Sequence, residues 1–233
     1  MAGFETDLPT FTTILPFSKK EVEFRPFKVK EEKILLMANA GDNIEDVTEA
    51  VEHIVEACTN GAVTATNSSM FDMQHMWLQL RGKSISEDLD FFLRCACEHQ
   101  TNMTVHVDDF KFRETAGHVK NIDLGGFSVE MRYPTFEDYG MLYESNSVDS
   151  VYDVVANCID KIITKEEVKL NNSPESKAEF REFVDNVTPA QFKKLEAFFN
   201  TMPVLEYVAK YTCAGCGKEK EVAIDGVTNF FGS

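Results

Sequence analysis

The chain contains no run of eighteen consecutive apolar residues, so no segment reads as a membrane-spanning helix. It also lacks a basic block. Its 23 Lys and Arg are scattered among 39 Asp and Glu, for a formal net charge of −16. A surface of that sign repels a phosphate backbone, so neither nucleic acid nor a membrane is expected among its partners. The opening residues carry no basic flank followed by an apolar run, so the protein is expected to be made and kept in the cytosol. In that reducing compartment six cysteines argue against a disulfide framework and leave burial or metal binding to explain them.

Catalytic signatures are missing too. There is no Gly-x-x-x-x-Gly-Lys-Ser loop, no Gly-x-Ser-x-Gly elbow and no His-Glu-x-x-His pair. His53 and His75 fall within helical patterns and His106 and His118 stand alone, so each reads as a surface or hydrogen-bonded histidine. No nucleophile, base and orienting group come together, and the chain is read as a non-enzyme.

What is present suffices for a core: 43% hydrophobic content over 233 residues supports one large or two small domains. Short extended stretches at Thr10–Ile14 and Glu21–Phe24, separated by Leu15-Pro16-Phe17-Ser18, predict a hairpin. Helices follow over 28–39 and 44–58, the second with Val47, Val51, Ile54, Val55 and Cys58 on one stripe. A third covers 70–83 around the lone Trp77, read as a core anchor. Strands are predicted at 90–97, 103–107 and 127–132, with Gly125-Gly126 as a turn.

After Tyr133-Pro134-Thr135 the chain reads as more helical, with helices over 147–158 and beyond Pro174, and short strands within 161–170. Thr188-Pro189-Ala190-Gln191 is a capping box with Pro at the first helical position, and Phe192, Leu195, Phe198 and Phe199 form an apolar stripe behind it, read as core. The fold class is therefore α+β. An N-terminal region 1–133 holds hairpin, helices and a small antiparallel sheet, and a mostly helical region 134–233 ends in a cysteine hairpin. The two can also form one composite domain.

That last hairpin carries Cys213-Ala-Gly-Cys216-Gly217 between a strand and Val222-Ala223-Ile224, ahead of Gly226 and Phe230-Phe231. Two thiolates on a tight turn make half of a tetrahedral zinc site. The candidate second half is Cys95-Ala-Cys97-Glu-His99, whose residues 95, 97 and 99 would share one face of an extended strand. The candidate ligands are Cys95, Cys97, Cys213 and Cys216, with His99 as an alternative. Unmetallated thiols are the competing reading, whereas redox chemistry needs Cys-x-x-Cys at a helix start and here the flanks predict a hairpin. Cys58 and Cys158 fall at apolar helix positions and read as core.

Several blocks together carry a resemblance. They are LPFSKKEVEFRPFKVKEEKILLMA from Leu15, FDMQHMWLQLRGKSISE from Phe71, the cysteine strand at 95–97, VEMRYPTFEDY from Val129, and CAGCG followed by IDGVTNFF. The chain resembles the baseplate hub subunits and hub-assembly proteins of T-even-like contractile bacteriophages over nearly its whole length. The resemblance implies a role in building or forming the central hub of the tail baseplate, with other hub proteins as partners. It also implies residence in the host cytoplasm during assembly, followed either by retention in the virion tail baseplate or by departure as an assembly factor, and no enzymatic activity. The second hypothesis is a zinc-knuckle adaptor that binds nucleic acid or transcription machinery. It would need a basic, aromatic face near the knuckle, whereas Lys218 and Lys220 alternate with Glu219 and Glu221.

Overall fold

Phe11–Ile14 (β1) and Glu21–Phe24 (β2) pair antiparallel, with Phe11 opposite Phe24 and Ile14 opposite Glu21. This is the expected opening hairpin in a computed structural model that describes residues 8–41, 43–144 and 147–225. The hairpin's turn is held from outside. Buried Asp72 accepts the backbone N–H groups of Phe17 and Ser18 at 2.8 and 3.0 Å. Asp72 lies in the first turn of α3 (Met70–Ser84), where a carboxylate also suits the helix dipole.

Residue contacts divide the chain into two units, one made of the residues up to 112 with those from 204 onward, the other of residues 113–203. A division at residue 134, drawn from the change in helical content, cuts the chain elsewhere. Both units mix helix with sheet, and the fold is α+β.

In the first unit α1 (Val29–Asn39) and α2 (Ile44–Cys58) follow the hairpin, and α2 buries the stripe Val47, Val51, Ile54, Val55 and Cys58. α3 is buried on nearly every side, with Phe71, Met73, Met76, Trp77 and Leu80 at 1% exposure or less. A helix enclosed that way shows no single stripe, which explains its weak periodicity. Trp77 stacks on Phe27 at 6.1 Å and is a core anchor as expected. Asp88–Arg94 (β3) and Gln100–His106 (β4) form a second hairpin. Lys111–Arg113 (β5) edges a three-stranded sheet whose other members are the last strands, Val204–Thr212 (β10) and Glu219–Asp225 (β11), with β10 in the middle.

The second unit carries a four-stranded antiparallel sheet in chain order, Asn121–Asp123 (β6), Ser128–Met131 (β7), Ile159–Ile163 (β8) and Val168–Leu170 (β9). Around it lie Phe136–Glu144 (α4), Val148–Asn157 (α5), Pro174–Asn186 (α6) and Pro189–Asn200 (α7). The box at Thr188 forms as read: its hydroxyl accepts the Gln191 N–H, and the Gln191 side chain accepts the Thr188 N–H. Leu195 and Phe198 of the α7 stripe are buried with Val129, Met131, Val155 and Phe180, while Phe192 and Phe199 pack at the margin. His118 lies against Tyr133 and Phe198, and its two ring nitrogens pair with Thr201 Oγ1 at 2.9 Å and the Tyr133 hydroxyl at 3.2 Å. It is a satisfied histidine whose burial lowers its pKa.

One device occurs in both units. The Arg25 N–H donates to the carbonyl of Cys58 and the Arg132 N–H to that of Cys158, at 3.1 and 2.8 Å. Each guanidinium donates to the carbonyl of the residue after it, at 3.0 Å in both cases. Each also pairs at 2.7 Å with a carboxylate six residues on, Glu31 or Asp138. Each carboxylate then accepts a backbone N–H at the start of the next helix, from Lys28 or Thr135. The order of hairpin, arginine, carboxylate-capped helix and helix ending in a buried cysteine is thus present twice, an internal structural duplication. Burial alone would raise the Glu31 and Asp138 carboxyls, but the paired arginine and the cap N–H hold both below their ordinary values.

With 4% of the Glu31 side chain exposed, neutralising it leaves Arg25 partly uncompensated, and Glu31→Gln should cost about 2 kcal/mol at pH 7. Because the folded pKa is depressed, the carboxylate's contribution is full above its ordinary 4.5 and is lost as pH falls through the folded value. Urea unfolding followed by Trp77 fluorescence should therefore show a gap between wild type and Glu31→Gln at pH 7 that closes as pH falls through the depressed folded value.

Candidate metal centre

The strand expected over 90–97 ends at Arg94, and Cys95 to His99 form the turn of the β3–β4 hairpin. The expectation of a cysteine-bearing strand is corrected here. The Cys95 N–H donates to the His99 carbonyl at 3.0 Å, the Glu98 N–H donates to the Cys95 carbonyl at 2.8 Å, and Glu98 takes a positive φ of 66°. Polar Glu and His beside small Ala favour a turn over continued pairing, and the short Cys-x-Cys spacing suits a turn that converges its two sulfurs.

The other turn joins β10 to β11. The Cys213 N–H donates to the Lys218 carbonyl at 3.0 Å and the Gly217 N–H to the Cys213 carbonyl at 2.8 Å. Gly217 occupies the left-handed region at φ 67°, which a residue with a Cβ adopts only at a cost. The predicted hairpin forms, and Cys213 and Cys216 sit on a loop between strands instead of at a helix start.

The two turns meet. Cys95 Sγ lies 3.8 Å from Cys216 Sγ, and Cys97 Sγ lies 3.6 Å from Cys213 Sγ. All four sulfurs lie within 4.8 Å of one another. Thiolates at about 2.3 Å from one tetrahedral ion are separated by about 3.8 Å along each edge, so the cluster has the size of a tetrathiolate cage. A disulfide would require about 2.05 Å, and the six cysteines are free thiols. Four cysteines placed this way can bind a metal ion. His99, the alternative ligand, lies outside this group. Its Cβ stands against Gly215 across the junction.

Electrostatics favour a first thiolate at Cys213. Its pKa falls to about 6, mainly because the backbone N–H of Cys216 points at the sulfur, with the Gly215 N–H and the thiols of Cys97 and Cys95 adding to the effect against burial. Cys97 is held at about 11: the His99 N–H lowers it, but hydrogen bonding with Cys95, burial, and contact with Cys213 and Cys216 outweigh that. One negative sulfur thus resists the next, and a cation at the centre would remove that resistance. Cys95 and Cys213 are buried, while Cys97 and Cys216 are exposed. The remaining pair, Cys58 and Cys158, lies in the cores of the two units as read, where burial pushes the Cys58 thiol up to about 11 and raises Cys158 further.

The chain is thus an α+β fold whose last hairpin brings Cys213 and Cys216 to the turn that holds Cys95 and Cys97. Among the described residues, no helix is long and apolar enough to cross a membrane. The family described as T4 bacteriophage base plate protein matches residues 8–232, nearly the whole chain. The chain belongs to that family. Comparison with the curated proteins and with the solved structures gives no match.

A Cβ on Gly215 would stand 2.6 Å from the His99 Cβ, so alanine there must push the two turns apart. Gly215→Ala should destabilise the protein by about 1–3 kcal/mol in urea unfolding. The paired change Gly215→Ala with His99→Gly should recover most of that loss.

Proposed function

We propose that this baseplate-family chain is a structural or assembly component of the central hub of a contractile phage tail, acting through contacts with other hub proteins and not through catalysis. Membership of the baseplate family over residues 8–232 is the observation that carries this reading. The described histidines agree with it, since His75 and His118 are engaged with neighbouring side chains and not assembled with a nucleophile. The chain would work in the host cytoplasm during assembly and then in the tail baseplate. Nothing favours a nucleic-acid adaptor, since Lys210 beside the knuckle is paired with Glu221 at 3.2 Å.

Within that role, Cys95, Cys97, Cys213 and Cys216 bind one zinc ion as a structural brace. The matching edge lengths of 3.6 and 3.8 Å support this assignment. Zinc would tie the end of the chain to its first half and hold rigid the surface offered to neighbours.

Two measurements test these statements. Protein purified without chelator should contain about one zinc per chain by elemental analysis, as a single four-thiolate site requires. Cys95→Ser and Cys213→Ser should lose it while Cys58→Ser keeps it, and metal-free wild type would sink the zinc assignment. Separately, an infection in which the gene carries Cys213→Ser should yield normal heads and few complete tails by electron microscopy. Normal tail numbers in the complete absence of the protein would refute the baseplate role.

A further inference from the structure

α1 buries only Glu31 and Leu35 and leaves much of its apolar content in water. Val29, Leu36 and Met37 are 80%, 61% and 66% exposed. On a helix, residues 29, 33, 36 and 37 fall on one side, so these three side chains make one face with exposed Lys33 between them. Lys28 and Lys30, also exposed, sit at its N-terminal end. Glu32, partly exposed, borders the same face, so Lys28, Lys30 and Lys33 outnumber the acid there and leave an apolar face with a net cationic rim on a chain of net charge −16.

Its complement lies on the neighbouring helix. α2 packs beside α1 and directs its apolar stripe inward, while its outward positions carry Glu45, Asp46, Glu49 and Glu56 without a Lys or Arg in the helix. One helix pair therefore displays an apolar row with lysines next to an acidic row. Such a surface is complementary to itself under a two-fold rotation, which places α1 against α1 and brings each copy's lysines onto the other copy's acidic row.

We propose that the α1–α2 face is an interface between two copies of this chain. The apolar seam of Val29, Leu36 and Met37 supplies the attraction, and Lys33 facing the partner copy's Glu49 row sets the orientation. An 11-residue helix is only about 16 Å long, so the buried area is small and the dimer belongs to the weak, reversible class. A third protein with an acidic, apolar surface is the competing occupant.

Sedimentation equilibrium of the full chain, over protein concentrations from about 1 to 200 μM as suits a weak interface, tests this. Wild type should pass from monomer to dimer and should dissociate more readily in high salt. Leu36→Glu with Met37→Glu should weaken association at least about tenfold with an unchanged melting temperature, since both positions are exposed. Lys33→Glu and Glu49→Lys should each weaken it, and their combination should restore it, because every swapped charge then meets its opposite across the two-fold. A wild type that stays monomeric throughout would overturn the proposal and leave the face to a different protein. Dimers indifferent to Leu36→Glu with Met37→Glu, or a combined charge swap that fails to recover, would overturn it equally. None of these outcomes bears on zinc content or on membership of the baseplate family.

Discussion

The placement of β10 between β11 and β5 is the constraint on which the first unit depends. A strand from the end of the chain forms the centre of a sheet whose edge strand precedes the whole second unit, so that sheet cannot be completed until nearly all of the chain is present. Closing a loop of about 90 residues in an unfolded chain costs on the order of 4 kcal/mol. The second unit reduces that cost if it folds first. Near its two ends, Glu114 and Pro203 line the same cavity of about 580 Å³. Return of β10 then brings Cys213 and Cys216 to the turn that holds Cys95 and Cys97.

Within each unit a half-buried arginine performs the equivalent local task. Arg25 and Arg132 each connect the exit of a hairpin, the start of one helix and the end of the next, and each is neutralised by a single nearby carboxylate. Such pairs contribute little net stability compared with apolar packing, but they are unforgiving of the loss of one member, so they specify geometry. The same wiring occurs in two places, each closing on a buried cysteine carbonyl. A second cysteine hairpin at the end of the chain fits this pattern, although it packs with the first unit.

Much of the local structure could be read directly. The capping box at Thr188, the amphipathic stripe of α2 and the opening hairpin each depend on neighbours within a few residues, and each formed at the expected place. The Arg-to-carboxylate spacing of six was also present in Arg25-Pro26-Phe27 through Glu31 and in Arg132-Tyr133-Pro134 through Asp138. It was not read as a repeat, because each arginine's third partner, the carbonyl at Cys58 or Cys158, lies dozens of residues away. Alternating cysteines at 95 and 97 mimic the two-residue period of a strand, whereas the Glu98 backbone turns there. The C-terminal part of the resemblance, at Gly226 and Phe230-Phe231, lies outside the described residues.

By itself the sequence determined the class of the fold and the chemistry available at each turn, because charge, periodicity and cap residues act over short distances along the chain. It identified Cys213 and Cys216 as half of a candidate site and offered Cys95 and Cys97, with His99 as an alternative, for the other half. Only the tertiary structure decided that the other half stands opposite, with partner sulfurs 116 and 121 residues apart in sequence and 3.6 and 3.8 Å apart in space. The physical reason is that tetrathiolate geometry is a property of contact between turns, and no local pattern encodes which turns will meet.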